Sequence, residues 1–143
     1  VIDDYFASEF GIVNRLLVEV PEVNGHVFTP NDISQVTSEQ QITPAIHVIY
    51  GGSILGKCSS DGQSQVFEQI WIIVLAVKNA QAQKTGEKLR AEAGPIICKI
   101  LRALQGFVPA DGFESLHRFE ASEPIYLAGF ACYPLGFTTK LTI

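Results

Sequence analysis

The residues with the chemistry to act as catalysts or ligands are few and scattered. The histidines are His26, His47 and His117, and none has a cysteine or carboxylate at metal-ligand spacing. His47 stands between Ile46 and Val48 in an apolar run, which predicts a hydrogen-bonded histidine on a sheet. His117 beside Arg118 reads as a surface residue. Cys58 follows Lys57, whose charge would favour the thiolate, but a nucleophile also needs a base and an oxyanion site, and nothing nearby supplies them. The run Gly51-Gly52-Ser53-Ile54-Leu55-Gly56-Lys57-Cys58 partly matches a phosphate-binding loop. It lacks the hydroxyl residue after the lysine and leads into a strand instead of a helix N-terminus. Asp3-Asp4 and Glu120/Glu123 read as cap and surface carboxylates. Phe113, Phe119, Tyr126, Phe130, Tyr133 and Phe137 are spaced as strand residues and have no basic groove beside them, so they read as core or interface, not as base-stacking platforms. No catalytic, metal or cofactor site is expected, and the chain is not read as an enzyme.

The elements that would position these residues are clearer. Val66 to Val77 carries one charge and no Gly or Pro, and is rich in β-branched residues. As a strand it would put Phe67, Trp71, Ile73, Leu75 and Val77 on one face, with Val66, Ile70, Ile72, Val74 and Ala76 on the other. Both faces are apolar from Ile70 onward, whereas a small antiparallel sheet normally keeps one face polar. The far face therefore calls for cover, and a neighbouring subunit is the expected source.

Phe6, Phe10, Val13, Leu17 and Val20 recur at helical spacing, flanked by Ile2 and Leu16, and predict an amphipathic helix. Asp3 would cap it, Gly11 would weaken it and Pro21 would end it. Residues Asn24 to Thr43 look polar and irregular, with a short strand at Val27-Phe28 and a turn at Thr29–Asp32. Pro44 opens a strand through Tyr50. Gly51 to Ser64 reads as a flexible hairpin connection in which Ile54 and Leu55 are out of place. Leu89, Ala93, Ile96, Ile97, Ile100, Leu101 and Leu104 predict one bent helix from about Thr85 to Gln105, C-capped by Gly106. The alternative is a fresh start with Gly94 as N-cap and Pro95 at the first helical position. Strands are expected at Leu116–Ala121 and Ile125–Tyr133, with Pro134 and Gly136 breaking the second. The extended segment 137–143 would pair at a sheet edge or add to a neighbour's sheet.

The predicted fold class is a single α+β domain over 1–143. It has an antiparallel sheet of about four strands, a long β-hairpin, and two helices packed on one face. The three cysteines, Cys58, Cys98 and Cys132, form no CxxC pair and read as free thiols of a reducing compartment. No apolar run approaches the ~20 residues that span a bilayer, and Val1-Ile2-Asp3-Asp4 does not resemble the start of a signal peptide. The net charge of −5 argues against a dedicated nucleic-acid binder. The charge is also unevenly spread. Residues 1–40 hold seven acids and one base, net −6, and residues 78–102 hold six bases and two acids, net +4. These read as solvated helix faces or as patches that meet head-to-tail between copies.

This layout resembles the small tail terminator, or tail-completion, proteins of tailed bacteriophages, including those of Mu-like phages. The likeness lies in an opening amphipathic helix, the Pro44–Tyr50 strand, the Gly-rich hairpin, the Phe67–Val74 strand, a helix around Leu89–Leu104 and late strands near Leu116–Ala121 and Ile125–Tyr133. The resemblance implies a non-enzymatic virion protein of the tail and neck, assembled in the host cytoplasm without cofactors. Its homo-oligomer would be a hexameric ring on the head-proximal end of the tail tube. Its partners would be the tail tube protein and the head connector or other neck proteins, with DNA only passing through the lumen and no membrane contact. The interface residues expected on this reading are Gly51, Gly52, Ile54, Leu55, Lys57 and Asp61 in the hairpin, the basic Lys84, Lys88 and Arg90, and the acidic Asp32 and Glu39. Two alternatives stay open, another neck or head–tail connector component and a small-ligand-binding α+β module.

Overall fold

A computed structural model of the chain describes residues 1–37, 42–79, 86–127 and 129–143. Among these the elements run α1 (Ala7–Glu19), a 3-10 turn (Pro21–Val23), β1 (Val27–Phe28), α2 (Ile33–Thr37), β2 (Ala45–Cys58), β3 (Gln65–Asn79), α3 (Glu87–Leu104), β4 (His117–Phe119), β5 (Ile125–Tyr126) and β6 (Gly129–Thr142). The α+β class is as expected, but the sheet has six strands and is mixed. Its order is β1-β2-β3-β6-β4, with β5 also pairing β6. β1 runs parallel to β2, because the segment carrying α2 crosses over between them, and the remaining pairs are antiparallel.

β3 is the central strand and its alternation is as predicted. Trp71, Ile73, Leu75 and Val77 face a core built with Ile12 and Leu16 of α1 and Leu89, Ala93, Ile96, Ile100 and Leu104 of α3. This is the near face. Here Ser8 Oγ donates to Gln69 Oε1 at 2.7 Å, Trp71 Nε1 donates to the same oxygen at 3.3 Å, and Gln69 Nε2 donates to the Tyr5 carbonyl. A buried amide is tolerable only when satisfied in this way.

α1 departs from expectation in its orientation. Its buried residues are Ser8, Ile12 and Leu16, whereas Phe6, Phe10 and Leu17 of the predicted core stripe are exposed. Gly11 explains why the helix sits this way. A Cβ there would lie 1.7 Å from the Pro109 carbonyl oxygen, so the glycine lets the segment after α3 press directly on the helix. Arg15 Nε fastens α1 to the end of α3 itself by donating to the Ala103 carbonyl at 3.0 Å. Asp3 does not cap α1. Asp4 Oδ1 instead accepts from the Phe6 N–H at 2.9 Å, one turn ahead of the helix.

α3 is one helix with Pro95 inside it, followed by Gly106 at φ +76. Pro95 and Ala91 lie on the exposed side, where a carbonyl that loses its partner faces water. The part of the predicted helix before Gly86 lies outside the described residues.

The segment expected to be a flexible connection is mostly strand. β2 and β3 stay paired out to Cys58 and Gln65, leaving a tip of 59–64. Gly51 and Gly56 face the Ile70 and Val66 side chains, which a Cβ would meet at 2.9 and 3.1 Å. Gly52, at φ +93, lies in a bulge between Tyr50 and Ser53. These glycines therefore serve an ordered arm. β6 likewise runs unbroken through Pro134 and Gly136 and is interior, between β3 and β4, not a terminal edge strand. Pro134 falls in the gap between β5 and β4 along the outer side of β6, where a missing N–H costs no ladder bond. A Cβ on Gly136 would lie 2.5 Å from the Phe119 carbonyl oxygen, so the glycine admits β4.

The far face is only half bare. Toward the end of the sheet away from the hairpin, Val74, Ala76, Cys132 and Phe130 are covered by Val36 of α2 with Ile125 and Leu127. That is a correction to an uncovered apolar face. Toward the hairpin, Val66, Glu68, Ile70 and Ile72 stay half-buried. No described helix is long and apolar enough to cross a membrane.

Candidate interaction surfaces

Among the described residues no cluster of His, Cys, Asp and Glu could hold a metal ion. All three cysteines are free, with Cys58 and Cys98 exposed and Cys132 buried. Burial pushes the Cys132 thiol up to about 11, which suits a packing residue and not a nucleophile. His117 is exposed with Nδ1 3.0 Å from the Ser115 carbonyl, as a surface residue should be. His47 differs from expectation. It is 4% exposed on the far face, and neither ring nitrogen has a hydrogen-bond partner among the described residues. Desolvation lowers its pKa, which favours a neutral ring packed against Phe28.

What the geometry does supply is exposed apolar and charged surface at three places. The first is the hairpin arm. Ile54 is 46% and Leu55 68% exposed, and Gly51 and Lys57 are also exposed. Leu55 pairs with Phe67 on the near face and Ile54 with Glu68 on the far face, so the arm offers apolar surface on both sides. Its tip is built by Asp61, whose carboxylate accepts from Ser59 Oγ at 2.6 Å and the Gln63 N–H at 3.1 Å. The Ser59 bond holds the Asp61 pKa below the usual carboxylate value.

The second place is the outer stripe of α1. Phe10 is 74% and Val18 75% exposed, with Phe6 and Leu17 alongside. Phe6 is the link to the arm. Its ring lies edge-on to Tyr50 at 5.0 Å and to Tyr5 at 5.1 Å, and Tyr5 in turn meets Phe67 at 5.6 Å. An exposed side chain of this size forgoes ~1.5–3 kcal/mol of burial. The spacing of the stripe was evident in the sequence, but its outward direction was not.

The third place is the open half of the far face. A groove of about 340 Å³ runs past Ile54, Lys57, Val66, Glu68, Glu114 and Lys140. It continues as a second hollow of about 250 Å³ along His117, Arg118 and Thr138. Next to it a depression of about 180 Å³ lies over Ile49, Ile72 and Pro134, with Asp32, Ile33 and Ser122 around it. Sequence reasoning did not find this groove, because it joins residues from four separate strands and the segment before β4.

The predicted charged residues fall on opposite sides of the sheet. Lys88 and Arg90 are exposed at the start of α3, over the near face. Asp32 is on the far side. There it caps α2 by accepting from the Gln35 N–H at 3.2 Å and from Ser34 Oγ, bonds that lower its pKa. Lys84 and Glu39 lie outside the described residues. Part of the acidic and basic surface is already used within the chain, since Glu22 of the 3-10 turn is paired with Lys99 of α3 and its pKa is lowered first by that bond.

The family described as "Phage tail terminator protein" matches residues 2–143, nearly the whole chain. No curated protein sequence matches. Among solved structures, a chain from a virion of a native gene transfer agent particle shares the fold at TM-score 0.62 and 14% identity, covering 98% of this chain and 100% of that one.

Proposed function

The chain belongs to the phage tail terminator family, a structural virion family and not an enzyme family, and we propose that copies of it join into a ring, hexameric as the resemblance implies, on the head-proximal end of the tail tube. The ring ends tube polymerisation and presents the docking surface for the head connector. The observation that carries this reading is the pair of unlike exposed surfaces, an apolar helix stripe on one side of the sheet and a half-open sheet face on the other. Two different patches on one subunit make a heterologous contact, which closes into a ring when the rotation allows.

The arm from Gly51 to Asp61, with Gly52 and Leu55, edges the sheet and ends in its tip, and is the contact with the tube or connector, while Ile54 and Lys57 on the groove side of the arm face the next copy. It is ordered before docking, and so gives up little chain entropy on binding. Asp32 and the basic Lys88 and Arg90 are separated by the sheet within one copy and so suit contact between copies. Carboxylates facing the lumen would let DNA pass without sticking.

Electron microscopy of the purified protein with and without tail tubes tests the reading. Rings seated on one end of each tube, and tubes that stop growing once capped, are the expected result. A protein that remains monomeric at high concentration and leaves tubes uncapped would overturn it.

A further inference from the structure

We infer that the outer stripe of α1 in one copy lies in the far-face groove of the next copy, completing a helix–sheet–helix sandwich across each subunit boundary. This rests on the ring reading above and assigns the surfaces that form the ring.

Four observations carry it. First, the open half of the far face needs a helix-like cover, and the chain's own α2 and β5 stop short of it. Second, α1 is the described helix with large apolar side chains turned outward. The outer surface of α3 carries Lys88, Arg90, Glu92, Lys99 and Arg102. Third, the lengths agree. Phe6 to Leu17 spans about 17 Å of helix at ~1.5 Å per residue, and Val66 to Ile72 spans about 20 Å of strand at ~3.3 Å per residue.

Fourth, unpaired charges of opposite sign lie where the two surfaces would meet. At the hairpin end of the near face the acids Asp3, Asp4 and Glu9 have no ion-pair partner among the described residues, and in the groove at the hairpin end of the far face Lys57 has none either. The groove as a whole is balanced, with Lys57 and Lys140 against Glu68 and Glu114. Elsewhere the start of α3 brings Lys88 and Arg90 to the near face, and Asp32 stands at the far-face depression. A rotation about a ring axis keeps the top and bottom of every copy aligned, so like-placed ends must be complementary.

The test uses Phe10→Asp on the donating side and Ile54→Asp on the receiving side. Both residues are exposed, so circular dichroism and melting of the monomer should match the parent chain. Each variant alone should fall from ring mass to the 15.6 kDa protomer in sedimentation and light scattering. Mixed in equal amounts they should give a species of twice the protomer mass and nothing larger, because one sound interface remains per pair. A matched reversal, Glu9→Lys with Lys57→Glu, should regain ring formation that either change alone weakens. Rings from both single variants, while the parent chain also forms rings, would overturn this assignment and leave the ring reading standing. A parent chain that never forms rings, with or without tubes, would sink the ring reading itself and this assignment with it.

Discussion

The two apolar stripes of α1 are similar in composition and opposite in fate. Ile12 and Leu16 are fully buried, while Phe6, Phe10 and Leu17, half a turn away, face outward. Hydrophobic periodicity identifies residues that share a face but does not say which face turns inward. Here the choice is made by small and polar residues. Gly11 admits the Pro109 backbone, and Ser8 reaches the buried Gln69 amide. The larger side chains are left outside, where burying them requires a second molecule.

Substitutions along one helix can break or sharpen this contrast, measured by denaturant unfolding of dilute monomer. Leu16→Ala should be the most damaging, at about 2–5 kcal/mol, because it empties a fully buried site between helix and sheet. Gly11→Ala should cost ~1–3 kcal/mol, since the added methyl cannot coexist with the Pro109 carbonyl and the segment must move. Ser8→Ala should cost about 1 kcal/mol, for Gln69 keeps its bonds to Trp71 and Tyr5. Phe10→Ala, one residue from Gly11, should stay within ~0.5 kcal/mol. If Phe10→Ala proves as costly as Leu16→Ala in monomer, the outer stripe is not free surface and the contrast fails.

A fifth and smaller effect extends the contrast to the buried polar groups of the two sheet faces. Gln69 on the near face is satisfied, and the His47 ring on the far face is not. Burial lowers the His47 pKa, so the unfolded chain takes up a proton more readily than the folded one. The stability tied to the neutral ring is present above the ordinary histidine value of about 6.5 and lost as pH falls below it. The melting temperature should therefore drop between pH 7 and pH 5, and His47→Phe should flatten that drop. An unchanged pH profile would mean that His47 is protonated at little cost.

Much of the sheet was legible in the sequence because β3 is almost free of charge and β-branched, so its two faces and its central place follow from composition. The path of α3 was legible too, since its stripe keeps phase across Pro95. Two features were hidden for a common reason. Gly51, Gly52 and Gly56 look like a loosely structured loop, and Pro134 and Gly136 look like strand breakers. Apart from Gly52, which the bulge holds at positive φ, each is set by a neighbour on another strand, namely Ile70, Val66, the gap between β5 and β4, or the Phe119 carbonyl. α2 went unseen because five residues with a single buried side chain, Val36, leave no periodicity to detect. Of the expected contact surface, the arm was legible from its misplaced Ile54 and Leu55. The groove was not, because it exists only once the strands are laid side by side.

The bulge at Gly51 and Gly52 has a consequence for how such a protein can change. One extra residue on β2 between Tyr50 and Ser53 is taken up in the bulge, so Tyr50 opposite Trp71 and Ser53 opposite Gln69 keep the same phase. Deleting Gly52 would close the bulge and leave Ile54 opposite Glu68 and Leu55 opposite Phe67, each emerging on its present side. What would change is the local twist and bend of the edge strand. The root of the arm can therefore lose a residue, and swing the tip, without altering which side chains it shows on either side.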